Sequence, residues 1–378
     1  MRQWLRKSRI LRAMRFLHYL VPYWLLRPFV RVRPRRFLFL SDSHDGYVGN
    51  MAFLKRAIEQ QAPDAEIIGV FKPRLSARRP LRDALRLPML IASSGVIVLD
   101  DFYPLIYFFR IRPDARLVQL WHAAGAFKRV GHSRAGLPGG PTRGSEIHRN
   151  YTDAVVSSES IVPDYAEAFG IDPQRVKPWG MPRSDAFFDE AAVAETRHRV
   201  REALGIADGD RFVLYAPTFR GQGQLTAQAS PDADWAGISR TLGAGWRVGV
   251  RQHPFVADKG LPQGVIDAAS IPDMNEVLMA TDVLVTDYSS AVFEFSLLRR
   301  PIVFFVPDLE EYVADRSFYR PFEHYCIGPV VRDAEGLAAA IATATVDPAR
   351  SAAFDEEFCG ALDGHSSERI ASRLLGGA

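Results

Sequence analysis

An α/β protein with parallel sheets and room for two domains is what this sequence predicts, on three observations. From Arg36 onward, short apolar runs alternate with helix-like stretches, the pattern of a parallel sheet covered by helices on both faces. The pattern restarts at Arg211, beyond a connecting helix read at ETRHRVREALGI. A chain of 378 residues, 47% hydrophobic and 24% charged, is long enough for two folded domains and is not disordered.

The amino-terminal segment stands apart. The net charge of +3 divides into +11 over residues 1–36, which hold no acid, and −8 over the rest. Between the arginine clusters, FLHYLVPYWLL (Phe16 to Leu26) is interrupted by His18 and Pro22 and falls short of the roughly 20 apolar residues that span a bilayer. No small-residue cleavage site follows, and Arg31 to Arg36 is wrong for a secretory signal. Basic residues beside Trp4, Tyr23 and Trp24 favour a segment lying on an anionic membrane surface over a packing helix or a nucleic-acid arm. Basic charge confined to one end, without a recognition motif, argues against nucleic acid. Cys326 and Cys359 give neither a disulfide framework nor metal-ligand spacing, which fits a reducing compartment.

In the first domain, FLFL (Phe37 to Leu40) reads as a buried strand, Ser41 to Asn50 as the polar loop after it and MAFLKRAIEQ as a helix. Further strands are expected at Ile67 to Phe71, Val96 to Leu99, Leu117 to Leu120 and Ala154 to Ser157. Ligands of open α/β sheets bind outside the carboxyl ends of the strands, so the loops after these runs form the candidate site wall. The most informative loop is His122 to Lys128: an imidazole just past a strand end, followed by small residues, suits proton transfer near neutral pH. Gly131 to Asn150 reads as a long loop of the kind that is usually functional or mobile. The domain boundary falls near residues 183 to 205, with domains expected at 37–195 and 196–378.

In the second domain, RFVLYAPTFRG delivers Thr218 and Arg220 at a strand end, and WRVGVRQHP delivers Arg251 and His253. TDVLVTDYSSAVFEFSLLRRP reads as a strand, a turn (Asp287 to Ser290), a helix and a proline stop before PIVFFVP. The first N–H groups of a helix lack internal partners, so a strand-to-helix turn carrying Asp287, Ser289 and Ser290 is an anion site, although Ser and Asp are also ordinary N-caps. Glu294, four positions after Ser290, is placed to accept ribose hydroxyls, which turns a phosphate site into a nucleotide site. Arg220 can grip phosphate oxygens, Arg251 can do the same or hold its loop, and His253 can assist a leaving phosphate. No metal or cofactor is expected: the carboxylates lack metal-ligand spacing, although Asp42, Asp45 and Asp287 leave Mg²⁺ open, and fixed cationic groups can stabilise a pyrophosphate leaving group alone. The tail from Asp333 reads as helices.

Taken in order, WHAAGAFKRVG, VVSSE, GMPRSD, LYAPTFRG, RQHP and TDYSSAVFEFSLLRRPIVFF resemble the CDP-glycerol glycerophosphotransferase family of teichoic acid synthesis, over about Phe37 to Phe305. The resemblance implies a GT-B fold of two Rossmann-like domains facing across a cleft, with the nucleotide mainly on the second and carboxyl-terminal helices returning to the first. It implies a peripheral enzyme on the cytoplasmic face of the cell membrane. The reaction it implies is transfer of glycerol phosphate from CDP-glycerol to an undecaprenyl-pyrophosphate-linked saccharide, with release of CMP. His122 matches the proposed base, His253 the second-domain histidine at the phosphate, and Arg220, Ser289 and Ser290 the CDP-alditol site, with Lys128 and Thr218 beside them. Glu294 stands where the family often has Asp, and Ala123 to Phe127 depart from its WHGTPLK pattern. The alternatives are a CDP-ribitol ribitolphosphotransferase, a sugar-nucleotide glycosyltransferase, or a catalytically silent membrane scaffold.

Overall fold

The computed structural model describes residues 16–72, 77, 79–221, 226–231, 233–256 and 260–376. Trp4 and the first basic residues lie outside the described residues. The chain divides into two compact units. One comprises residues up to His122, Gly144–Arg183 and His365 onward; the other comprises Ala123–Arg143 and Ser184–Gly364. The units differ from a split of 37–195 and 196–378 in two places: the loop after His122 groups with the second unit, and the second unit begins at Ser184. The carboxyl-terminal helix Ser366–Leu375 groups with the first unit. The two helices before it, Leu337–Thr343 and Pro348–Cys359, stay with the second unit.

The first unit is built on a six-stranded parallel sheet: β1 (Arg33–Ser41), β2 (Glu66–Phe71), β3 (Ser94–Leu99), β4 (Arg116–Gln119), β5 (Asp153–Val155) and β6 (Val176–Lys177), in the order β2-β1-β3-β4-β5-β6. Chain order reverses between β1 and β3, and at such a switch point the loops after the two strands diverge and leave a crevice. Phe37 and Phe39 of β1 and Val96 and Val98 of β3 share a core with Met51, Leu54 and Ile58 of the helix Gly49–Gln61 and with Ile370 and Leu374 of the last helix. Apolar residues on one stripe of each helix close that face.

The second sheet comprises β7 (Arg211–Ala216), β8 (Trp246–Val250), β9 (Ile266–Asp267), β10 (Val283–Thr286), β11 (Ile302–Phe305) and β12 (Val330–Val331). Every pairing is parallel and the order is β12-β11-β10-β7-β8-β9, so its switch point lies between β10 and β7. Val213, Tyr215, Val248, Val283, Val303 and Phe305 fill its core against Trp235, Leu337 and Ile341. The two parallel Rossmann-like sheets give the expected GT-B-like α/β class. The connecting helix runs Glu190–Ala203, starting five residues before its expected position because the Asp189 carboxylate accepts the Ala192 N–H at 3.0 Å and caps it.

Candidate active site

In the first unit, β4 ends at Gln119, and two residues later the backbone turns left-handed at Trp121, with φ of 58°. A bulky residue there is strained and persists only when its surroundings hold it. The Gln119 side chain accepts the Trp121 N–H at 2.9 Å, and Asn50 Nδ2 donates to the Trp121 carbonyl at 2.7 Å. This clamp fixes where His122 emerges. The imidazole is half-exposed, and its Nδ1 lies 3.3 Å from Asp101 Oδ1. With Nδ1 donating to a carboxylate, the lone pair of a neutral imidazole sits on Nε2 and is free to accept a proton.

Asp101 was not among the residues singled out from the sequence. It also accepts from Ser43 Oγ at 2.7 Å and from the Phe102 N–H at 2.6 Å. Burial pushes its carboxyl up, but the nearby His122 and these hydrogen bonds outweigh burial and hold it well below the usual carboxylate range. An acid two residues past the end of β3, its side chain about one-third exposed, could have been found by the same strand-end reasoning that selected His122.

In the second unit, the ends of β7 and β10 meet at the switch point. Asp287, fully buried, accepts the Thr218 N–H at 2.8 Å, the Thr218 hydroxyl at 3.0 Å, the Tyr288 N–H at 2.6 Å and Arg220 Nη1 at 2.9 Å. Arg220 in turn donates through Nε and Nη2 to Asp308, at 2.6 and 3.0 Å, and through Nη1 to the Thr218 carbonyl at 2.8 Å. Its guanidinium lies 5.1 Å from the Tyr288 ring centroid and 4.7 Å from that of Tyr312, two rings stacked at 3.9 Å. Burial works against its charge, but Asp308 and Asp287 outweigh it and raise its pKa. Arg220 therefore ties the ends of β7, β10 and β11 together, a positioning geometry in place of the expected open fork for phosphate. Asp308, Tyr288 and Tyr312 complete this cluster and were not read from the sequence.

Arg251 holds its loop: Nη1 donates to the Ala268 carbonyl at 2.8 Å and to the Ile271 carbonyl, and Nη2 donates to the Pro272 carbonyl at 2.7 Å. His253 is packed against Phe219 and Phe255 at 4.6 and 4.7 Å. Its Nδ1 accepts the Phe255 N–H at 3.1 Å, so the neutral ring carries its proton on Nε2, the opposite tautomer to His122. Burial, with Lys128 nearby, pushes the His253 pKa down to about 4. Lys128 Nζ donates to the Tyr312 hydroxyl at 3.2 Å. A cavity of about 820 Å³ opens beside His253, lined also by Gln252, Val250, Ser230 and Trp235.

The turn residues divide. Ser289 Oγ accepts the Ala291 N–H at 3.2 Å, while Ser290 heads the helix Ala291–Ser296 and makes no side-chain cap bond. Glu294 is 1% exposed, so this geometry does not present its carboxylate to a ribose as the sequence spacing suggested. Helical periodicity placed it on one face with Ser290 but not on the solvent side, and every residue of that short helix is buried. Among the described residues no group of His, Cys, Asp or Glu is arranged to hold a metal.

The family model described as CDP-glycerol:poly(glycerophosphate) glycerophosphotransferase matches residues 23–376. The chain is 38% identical over 352 residues to the teichoic acid ribitol-phosphate polymerase TarK of Staphylococcus aureus, covering 91% of this chain and 69% of that protein. It is 34% identical over 290 residues to a teichoic acid ribitol-phosphate primase of Bacillus spizizenii, covering 74% and 75%. Across the ribitol-phosphate polymerases it matches, the chain spans between 56% and 69% of their length. Among solved structures, a histidine-to-asparagine variant of the wall teichoic acid polymerase TagF soaked with CDPG matches with a TM-score of 0.78 at 22% identity, covering 99% of this chain and 97% of that one. That likeness carries the fold, and the family match over nearly the whole described chain carries the rest: this protein belongs to the CDP-glycerol:poly(glycerophosphate) glycerophosphotransferase family of teichoic acid enzymes.

Proposed function

We propose that this protein transfers an alditol phosphate from a CDP-alditol to a hydroxyl of a lipid-linked saccharide and releases CMP. The observation that carries the reading is the half-exposed His122 with its Nδ1 turned onto Asp101 and its Nε2 left as the basic nitrogen. His122 Nε2 takes the proton of the acceptor hydroxyl, and the oxygen attacks the β-phosphorus. The bond from that phosphorus to the bridging oxygen breaks, and CMP leaves with the electron pair. Lys128, Ser289, Ser290 and the Nε2–H of His253 hold the diphosphate; Arg220 and Asp287 shape the rim that presents them.

Ribitol phosphate is the cargo the relatives favour. The matches at 38%, 38% and 37% identity over about 350 residues are ribitol-phosphate polymerases, whereas the glycerol-phosphate primases match at 30% over 247 residues and 27% over 288. Glycerol phosphate, the cargo in the family's own description, is the second reading.

The enzyme works at an anionic membrane surface on this reading. Leu17, Trp24, Leu25 and Phe29 are exposed beside Arg27 and Arg31, and the helix Val21–Leu26 packs on Leu81–Ser93, which exposes Leu81, Leu85 and Met89 along one face. Among the described residues no helix is long and apolar enough to cross a membrane.

The deciding experiment measures CMP release from the purified protein given CDP-ribitol or CDP-glycerol, with a short-chain lipid-linked disaccharide and detergent. Acceptor-dependent release with CDP-ribitol is expected, reduced by about 100-fold or more in His122→Ala. Failure to bind either donor refutes the reading.

A further inference from the structure

The switch point of the first sheet holds a second histidine-carboxylate pair that the transfer chemistry has not used. β3 is followed by two successive acids, and each turns to a histidine in the loop after a different neighbouring strand. Asp101 meets His122, which follows β4; Asp100 meets His44, which follows β1, with Nε2 to Oδ2 at 3.7 Å. The two pairs are close enough for His122 to act on the Asp100 carboxyl as well. His44 is 41% exposed while the Asp100 side chain is 6% exposed; the Ser41 hydroxyl helps to hold the Asp100 carboxyl, but its Oδ1 is buried with no hydrogen-bond partner among the described residues. Burial pushes the Asp100 carboxyl up to about 6, against the pull of His44 and with Asp101 adding to the rise.

A polar pair of this kind has a cost, because a desolvated carboxylate oxygen with no partner is unfavourable in a folded protein. A purely structural His44 would be turned inward to satisfy it. Instead the ring stays open to solvent at the crevice between β1 and β3, where open α/β sheets take their ligands. The charge balance indicates what it would take. Two carboxylates face two imidazoles, and the neighbouring cations Lys72 and Arg79 are turned onto Asp42 at 3.2 and 2.7 Å. Such a locus suits groups that both donate and accept hydrogen bonds better than it suits an anion.

We infer that His44, positioned by Asp100, binds a hydroxyl of the polyol or saccharide acceptor adjacent to the one His122 deprotonates. The inference rests on the transfer reading above, with His44 as an acceptor-binding residue and Asp100 as its positioning residue.

The test compares the full-length wild type with His44→Ala, His44→Gln and Asp100→Asn, using a short-chain lipid-linked disaccharide as the probe. Acceptor binding is read by calorimetry and turnover by CMP release. His44→Ala is expected to raise the acceptor Kd and KM about 10-fold, the loss of roughly one hydrogen bond, while kcat at saturating acceptor stays within about threefold and donor affinity is unchanged. Asp100→Asn should shift the acceptor KM in the same direction by less, and His44→Gln should recover part of the affinity. An unchanged acceptor Kd in His44→Ala overturns the inference, as does a fall in kcat at unchanged KM. If the wild type binds the acceptor but releases no CMP, the transfer reading fails while the calorimetric comparison still decides the role of His44. A wild type that binds no saccharide overturns both.

Discussion

Removing Arg220 should destabilise the second unit rather than weaken a phosphate contact. In Arg220→Met the two carboxylates that share the guanidinium lose their counter-charge: Asp287 side chain at 1% exposure and Asp308 at 15%. Breaking a buried ion pair by deleting one partner costs about 3–5 kcal/mol. Asp287 keeps the Thr218 N–H, the Thr218 hydroxyl and the Tyr288 N–H, and Asp308 keeps the Tyr288 hydroxyl at 3.0 Å, so the expectation falls to about 2–4 kcal/mol. At 2–4 °C per kcal/mol for a body of 150–250 residues, the calorimetric transition of this unit should drop by roughly 5–15 °C. Arg220→Lys should recover little, because an ammonium cannot bridge both carboxylates in the plane of the fork. Asp308→Asn should cost about half as much as Arg220→Met, and the double variant should show strong non-additivity. If Arg220→Met melts within about 2 °C of wild type and instead loses donor affinity tenfold, the arginine is a direct phosphate ligand and the positioning argument is wrong.

His253 predicts a pH signature. With its folded pKa near 4 and an unfolded value of about 6.5, its neutral form contributes stability that is complete above pH 6.5 and is lost as pH falls toward 4. A bound diphosphate favours the charged ring, so donor affinity should rise as pH falls from 7 to 5. Calorimetry in buffers of different ionisation enthalpy should show proton uptake that His253→Gln abolishes; uptake unchanged in that variant would assign it elsewhere. Gly125 adopts φ of 62°, and a Cβ there would lie 2.3 Å from the Phe293 ring, so Gly125→Ala should destabilise the second unit by about 2–4 kcal/mol and Phe293→Leu should restore part of it. Retained stability in Gly125→Ala would show that this loop is free to move. Phe29→Ser with Leu85→Ser should weaken binding to anionic vesicles at least tenfold without changing the melting temperature; unchanged vesicle binding removes this face from the membrane reading.

The strand ends were legible because period and length mark buried parallel strands, and parallel strands must deliver their carboxyl ends to one rim. That rule reached His122, Thr218, Arg220, His253 and Asp287. It did not reach the partners that set their chemistry, because Arg220 meets acids 67 and 88 positions away in the chain, and only packing brings them together. Asp308 and Asp101 follow apolar runs just as the chosen residues do, but an acid after a strand also reads as an ordinary turn residue. Glu294 shows the limit of helical spacing, which names the neighbours of a side chain but does not say which face of the helix the core covers. The two-residue strands β6, β9 and β12 are too short to leave any period at all.

The distribution of charge explains how similar residue types come to differ in role. His122 and His253 both follow parallel strands and both stand near groups of the opposite or like sign, yet their second nitrogens meet different things. A carboxylate behind His122 fixes the proton on Nδ1 and leaves a base facing outward; a backbone N–H behind His253 fixes the proton on Nε2 and leaves a donor. Exchange of the two environments should exchange the roles. Asp101→Asn therefore tests more than a contact: an amide can present either oxygen or nitrogen to Nδ1, the tautomer is no longer enforced, and kcat should fall about 10-fold or more with the donor KM unchanged. A kcat that stays within twofold would mean that His122 needs no orienting carboxylate, and the acid at the end of β3 would then belong to the fold alone.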